Sequence, residues 1–196
     1  MNTIRLLPAI VFAIVLSGCA GTNFKQPDPT ALIVGKSTSA DVTRVMGSPL
    51  QTGEMLKNDE KIRIVRYAYA EGAGTGRYPG VVPARAMIFS TLSDLLVGKE
   101  FVSSFPDDAT EFDETKIPAI TKGKSTRADV VSLLGKPNGE AIYPLLKSKT
   151  DTGFVYSYSH AKGNVFNMKF YSKALIVAFD ANGVVSEVEY TSSGEK

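Results

Sequence analysis

Hydrophobic and polar residues follow two different periods along this chain, and each period predicts one kind of element. Val42, Val45 and Met46 recur at three- and four-residue intervals, which places them on one face of a helix. Residues 154–159 alternate between aromatic and smaller side chains, a period of two that predicts a strand. Residues 175–179 and 184–190 are also strand-like, and the Asn-Gly pair between them is typical of a β-hairpin. The pattern therefore predicts short helices combined with antiparallel strands.

One segment of fifteen residues occurs twice in the chain. Residues 35–49 and 123–137 lie 88 positions apart and are identical at nine of fifteen positions, without a gap. A second similarity follows at an offset of 89, where a Tyr-x-Tyr pattern after the first copy recurs after the second. We therefore predict two tandem copies of one unit of about 80–90 residues.

The repeated segment carries the signals that begin and end a helix. Each copy has a threonine suited to the N-cap and an aspartate three residues later, which is the spacing of a capping box. A glycine then ends the helix, and a proline two residues further on prevents its continuation. We assign cap and turn roles, which are structural, to Gly35, Thr38, Asp41, Gly47, Pro49, Gly123, Thr126, Asp129, Gly135 and Pro137.

These elements predict an α+β fold made of two tandem units, each with short helices packed on an antiparallel β-meander. The first unit, over residues 31–106, is the more diverged copy, and the second covers residues 115–196. Residues 107–114 include five acidic side chains and predict a solvated linker. Apolar residues within 83–96 also have helical spacing, which predicts an extra helix, with strand-rich structure over 95–105 as the alternative.

The amino-terminal segment indicates where the protein resides. Residues 6–16 form an apolar run that is too short to span a bilayer and matches the hydrophobic region of a signal peptide. The sequence Leu16-Ser17-Gly18-Cys19 follows and resembles the lipobox of bacterial lipoproteins. This resemblance implies a signal peptide over residues 1–18 and a diacylglyceryl and N-acyl anchor at Cys19. The alternative is a buried free cysteine in an uncleaved hydrophobic segment.

Residues that follow the cysteine refine this expectation. No aspartate comes directly after Cys19, and in the lipoproteins this pattern implies the outer membrane, with the protein facing the periplasm. Residues 19–30 are polar and contain two prolines, so we predict a lipidated tether between the membrane and the folded part.

Composition excludes several classes of function. Lys and Arg together number 22 and Asp and Glu 20, a balance that argues against nucleic-acid binding. A single cysteine cannot form an internal disulfide, and His160 as the sole histidine cannot build a multi-histidine metal site. No Gly-x-Ser-x-Gly sequence supports a serine nucleophile. We expect no catalytic residue, no metal and no cofactor.

Four tyrosines are the remaining candidates for a binding surface. Tyr67 and Tyr69 share one strand face in the first copy, and Tyr156 and Tyr158 share the equivalent face in the second. The favoured interpretation is packing in the core with each hydroxyl at the rim. The alternative is an aromatic face that docks a protein partner.

Taken together, the unit Gly-Lys-Ser-Thr-x-Ala-Asp-Val, Gly-x-Pro, Tyr-x-Tyr and Val-x-Phe-Asp-x-x-Gly-Val-Val resembles the SmpA/OmlA (BamE-like) family of outer-membrane lipoproteins. Its duplication is similar to the repeats of β-lactamase inhibitory protein. The resemblance implies a non-catalytic protein-interaction module in cell-envelope biogenesis or integrity, linked to β-barrel outer-membrane protein assembly. The alternative function is a proteinaceous inhibitor of a hydrolase, and a third is contact with peptidoglycan or lipid alone.

Overall fold

The computed structural model describes residues 21–72, 74, 76–164 and 166–195. Cys19 and the predicted signal peptide lie outside these residues. In the described part, the helices are α1 (Ser39–Met46), a 3₁₀ helix (Glu114–Ala119) and α2 (Arg127–Leu134). The strands are β1 (Gln51–Lys57), β2 (Glu60–Ala70), β3 (Val81–Val82), β4 (Ala84–Leu92), β5 (Leu95–Ser103), β6 (Gly139–Ile142), β7 (Thr152–Asn164), β8 (Asn167–Phe179) and β9 (Val185–Gly194).

All of these strands belong to one antiparallel sheet. Its order is β1-β2-β4-β5-β6-β7-β8-β9, and β3 pairs with β7 beside this path. The two halves of the chain join where β5 pairs with β6, with Gly98 opposite Ala141 and Glu100 opposite Gly139. The prediction of two tandem α+β units is therefore wrong, because the described chain is mostly β and its strands form one continuous sheet.

The repeated segment nevertheless makes the same contacts in both halves. In each, the cap threonine accepts a hydrogen bond from the aspartate backbone N–H, and the aspartate accepts one from the threonine N–H. The hydroxyl of Tyr67 donates to the Gly47 carbonyl at 2.8 Å, and that of Tyr156 donates to the Gly135 carbonyl at 2.9 Å. The repeat thus encodes how a short helix is held against the sheet.

Both α-helices contribute to hydrophobic clusters on the same face of the sheet. The cluster under α1 consists of Leu32, Val42, Val65, Tyr67, Met87, Phe89, Leu96 and Phe101. The cluster under α2 consists of Phe112, Ile120, Val130, Tyr156, Leu175, Val177, Phe179 and Val185. We call this side the helix face and the other side the inner face.

Residues 83–96 form strands instead of the predicted extra helix. Ser93 and Asp94 make the turn between β4 and β5 with positive φ angles of 47° and 73°. Met87 and Phe89, two residues apart, then point to the same side of β4 and enter the core. The apolar residues with helical spacing are divided by this turn, since Ile88 and Leu92 belong to β4 and Leu95 and Leu96 to β5.

The acidic segment between the halves packs against the sheet. Phe112 is only 5% exposed, and the Thr110 hydroxyl donates to the Ser157 carbonyl at 2.7 Å. The ammonium of Lys173, itself buried in β8, contacts the Phe112 carbonyl and Glu114. The expected solvated linker is therefore attached to the sheet.

Residues 21–30, which the sequence predicted as part of a tether, also lie against the folded chain. Gly21 forms an antiparallel bridge with Tyr69, and Phe24 packs against the cluster under α1. The Lys99 ammonium donates to the Pro29 carbonyl at 3.1 Å. Among the described residues, no helix is long and apolar enough to cross a membrane.

Candidate binding groove

The inner face carries a groove because its side chains are small. Alternation along each strand sends most of the large apolar side chains to the helix face, and the inner face carries mainly alanine, serine and threonine with a few larger residues among them. The residues that line the groove on this face are Arg66, Ala86, Ile88, Glu100, Val102, Ser157, Ser159, Ser172, Ala174, Thr191 and Ser193. Five strands, β2, β4, β5, β7 and β8, together with the edge strand β9, therefore build one concave surface.

The sheet curls until its first and last strands approach each other. The Lys57 ammonium of β1 lies 3.7 Å from the Glu189 carboxylate of β9. At this end the loop before β7 crosses the inner face, and the Asn58 side-chain amide donates to the carbonyls of Pro144 and Leu146, both at 2.9 Å. Leu146 is buried there against inner-face side chains. The groove is therefore covered at the end near the β1–β2 turn.

Two adjoining cavities occupy the uncovered part. Their volumes are about 300 and 280 Å³, and Arg66, Ala86, Val102 and Ser159 line both. The second cavity continues along β2 and β4 towards the end of the sheet where β2 stops. The first cavity takes one to three residues from each of six strands, so the groove extends across the sheet.

A polar centre lies in the first cavity. Burial raises the pKa of the Glu100 carboxyl, while the neighbouring Ser157 and the positive charge of Arg66 act in the opposite direction. Ser157 is only 4% exposed, and its side chain lies next to the Glu100 carboxyl. A carboxyl, a hydroxyl and a guanidinium in one cavity offer an incoming ligand both hydrogen-bond donors and acceptors.

This centre offers binding groups but does not assemble a catalytic triad. His160 lies on the helix face, where its ring contacts Tyr158 and Tyr171 at centroid distances of 5.6 and 5.4 Å. Burial lowers the pKa of His160, and Lys162 lowers it further while Glu111 raises it. Ser157 points to the opposite side of the same strand, so this imidazole cannot act as its base. No group of three His, Cys, Asp or Glu side chains is placed to hold a metal within the described ranges.

The four predicted tyrosines lie on the helix face. Tyr67, Tyr156 and Tyr158 are 6%, 2% and 1% exposed, and the half-buried Tyr69 stacks on Phe105 at a centroid distance of 6.0 Å. Burial raises the pKa of both Tyr156 and Tyr158 to about 12. These rings pack within the protein, and a docking role for them stays a prediction.

Sequence reasoning missed the groove residues Arg66, Glu100 and Ser157. Glu100 and the preceding Lys99 stand in β5 among mostly apolar residues, which is a detectable signal, since a charge inside an apolar strand usually has a specific partner. Arg66 and Ser157 follow ordinary strand alternation and carry no such signal. The pairing of strands distant in the chain brings the three to one face of the sheet.

Comparison with known proteins assigns no family. No family model matches the chain, so none supports the SmpA/OmlA resemblance, and no curated protein sequence matches it. Among solved structures, the crystal structure of a "putative beta-lactamase inhibitor protein" from Streptococcus mutans is similar over 83% of this chain and 91% of that chain. The identity is 9% and the TM-score 0.39, a similarity too low to transfer a function.

Proposed function

We propose that this chain is a non-catalytic binding protein whose inner groove receives a segment of another protein. The observation that carries the proposal is the polar centre, in which Glu100, Ser157 and Arg66 lie together in a groove of mostly small side chains. Such groups favour an occupant that supplies both donors and acceptors.

The shape of the groove favours a polypeptide as the occupant. Alanine and serine side chains allow a backbone to approach the sheet closely, and the hydroxyls of Ser159, Ser172 and Thr191 provide partners for peptide groups. Arg66 and Glu100 supply one charge of each sign, which suits a segment that carries side chains of both signs. Two adjoining cavities that together cross the sheet match an extended segment better than a compact small molecule.

The amino-terminal sequence supports a location for this activity. The apolar run and the lipobox-like sequence favour attachment through Cys19 to a bacterial membrane. We place the protein at the periplasmic side of the outer membrane, where its partner would be a protein of envelope assembly. A hydrolase that the groove inhibits is the alternative partner.

Site-directed photocrosslinking in living cells tests the groove. A photoreactive residue replaces Ser172, which is exposed in the groove, and in a matched control it replaces Thr43, which is exposed on α1. We expect one discrete adduct from the position in the groove alone, and we expect Arg66→Glu to reduce it at least tenfold. The same adduct from both positions, or an adduct that Arg66→Glu leaves unchanged, would contradict the proposal.

The identity of the crosslinked protein then separates the two kinds of partner. A component of barrel assembly supports the envelope role. A hydrolase supports the inhibitor role, which an activity assay with the purified pair checks directly: the wild-type chain should lower the rate and Arg66→Glu should not.

A further inference from the structure

The hairpin between β7 and β8 ends in exposed aromatic side chains. Phe166 is 95% exposed and Phe170 is 67% exposed, whereas Phe89 and Phe179 in the core are completely buried. Exposed phenylalanines close together are uncommon on a protein that contacts only water. The hairpin is therefore a candidate contact surface for a less polar environment.

The hairpin projects from the same end of the sheet at which the described chain begins. Gly21 pairs with Tyr69 near the end of β2, and β2 pairs there with β4. Just before β4, Val82 of β3 pairs with Ala161 of β7, which leads directly into the hairpin. Strand pairing thus places Gly21 and the hairpin at one end, opposite the end covered by the loop before β7.

Cys19 is close in sequence to this end of the sheet. It precedes Gly21 by two residues, and two residues reach at most about 7 Å. Because residues 21–30 pack against the sheet, they do not act as a long spacer between the cysteine and the fold. A lipid attached to Cys19 would therefore bring this end of the sheet to the membrane surface.

The charges on the hairpin fit the same surface. Lys162 and Lys169 are opposite each other in the ladder, and both are exposed. Lys169 also forms an ion pair with Glu195. Lysines flanking exposed aromatic rings match the anionic phosphates that lie directly above the acyl region of a bilayer.

We infer that Phe166 and Phe170 insert into the surface of the bilayer that holds the lipid on Cys19, so that the hairpin is a second membrane contact. This inference rests on the anchor in the proposed function. With two contacts the sheet has a fixed orientation, in which the covered end of the groove points away from the membrane and the uncovered end faces it.

Tryptophan fluorescence tests the insertion, because the chain has no tryptophan of its own. The full chain is expressed in a bacterium, purified from membranes in detergent and reconstituted into vesicles of phosphatidylethanolamine and phosphatidylglycerol. Phe166→Trp carries the reporter in the hairpin. Leu56→Trp is the matched control, since Leu56 is 72% exposed on β1 at the opposite end of the sheet.

We expect the emission of Phe166→Trp to shift to the blue in vesicles and brominated acyl chains to quench it several-fold more than Leu56→Trp. Protein that floats with the vesicles but shows equal, weak quenching at both positions overturns the hairpin contact and leaves the anchor intact. A blue shift without bromine quenching indicates burial against protein and also overturns it. Protein that does not float overturns the anchor and the hairpin contact together.

Discussion

At the scale of single residues, Tyr156 and Tyr158 of β7 differ in whether the buried hydroxyl has a hydrogen-bond partner. The Tyr156 hydroxyl donates to the Gly135 carbonyl, whereas the buried Tyr158 hydroxyl has no partner in the described part of the chain. We expect Tyr156→Phe to lower the free energy of unfolding by about 1 kcal/mol. Tyr158→Phe should be neutral or stabilising, because it removes a buried polar group that is not satisfied.

Urea unfolding followed by circular dichroism measures both variants. Tyr67→Phe is the control for the first half, because its hydroxyl makes the equivalent bond to Gly47, and it should resemble Tyr156→Phe. Equal losses for Tyr156→Phe and Tyr158→Phe would contradict the prediction, because the hydrogen-bond partner of the hydroxyl would then make no difference to stability.

Glu100 gives stability a specific dependence on pH. Burial raises its pKa above the ordinary 4.5, so the folded chain holds this proton more tightly than the unfolded chain does. The stabilisation that this proton contributes is complete below the pKa of Glu100 in the unfolded chain. It is lost as pH rises through the pKa of Glu100 in the folded chain. We therefore expect Glu100→Gln to stabilise the fold at pH 7 and to have little effect near pH 3.

The control is a carboxyl with the opposite shift. The hydrogen bond from Lys147 lowers the pKa of Glu189, so its contribution is present above the unfolded pKa and is lost as pH falls. Glu189→Gln should then destabilise the fold at pH 7 and not near pH 3. Unfolding in urea at both pH values measures the two variants, and parallel pH profiles for them would contradict the assignment.

At the scale of elements, the sequence predicted what depends on local physics. The caps at Thr38 and Thr126 and the strand alternation around Tyr156 follow from neighbouring residues, and the structure has a helix and a strand at those places. The prediction over 83–96 was wrong, because Ser93 and Asp94 adopt positive φ without a glycine to signal it. The pairing of β5 with β6 depends on residues distant in the chain, and no local pattern reveals it.

The acidic segment shows how one buried side chain holds an element that the sequence describes as a linker. Lys173 contacts the Phe112 carbonyl and Glu114, and its ammonium lies 4.6 Å from the centre of the Phe112 ring. Lys173→Met removes these contacts while retaining apolar volume. We expect residues 107–114 to detach, and a glutamate-specific protease to cleave after Glu111 or Glu114 about ten times faster, a change of about 1.4 kcal/mol in local opening.

Mass spectrometry of the early fragments measures this cleavage. Lys122→Met, at an exposed lysine before α2, is the control and should be cleaved at the wild-type rate. If Lys173→Met is cleaved equally fast at many sites along the chain, the lysine supports the whole fold and does not specifically hold this segment.

At the scale of the whole molecule, the junction between the halves determines whether the chain unfolds as one unit. The Asn138 side chain donates to the carbonyls of Phe101 in β5 and Ser157 in β7, and its oxygen accepts from the Ser157 N–H at 2.9 Å. It therefore connects the last strand of the first half to the central strand of the second. Since the groove is lined by strands of both halves, its geometry depends on this junction.

We expect hydrogen exchange in low urea to give the same opening free energy, within about 1 kcal/mol, for amides of β4 and β8, because a shared sheet unfolds cooperatively. Asn138→Ala should lower both values together by about 2 kcal/mol, since it leaves buried backbone groups without partners. Asn182→Ala, at an exposed turn before β9, is the control and should change neither value by more than about 0.5 kcal/mol.

If one strand opens at a free energy more than about 2 kcal/mol below the other, each half has its own stability. The groove would then lie between two units that unfold separately. In that case Asn138→Ala should lower the free energy of binding in the groove by more than it lowers the free energy of unfolding of either half.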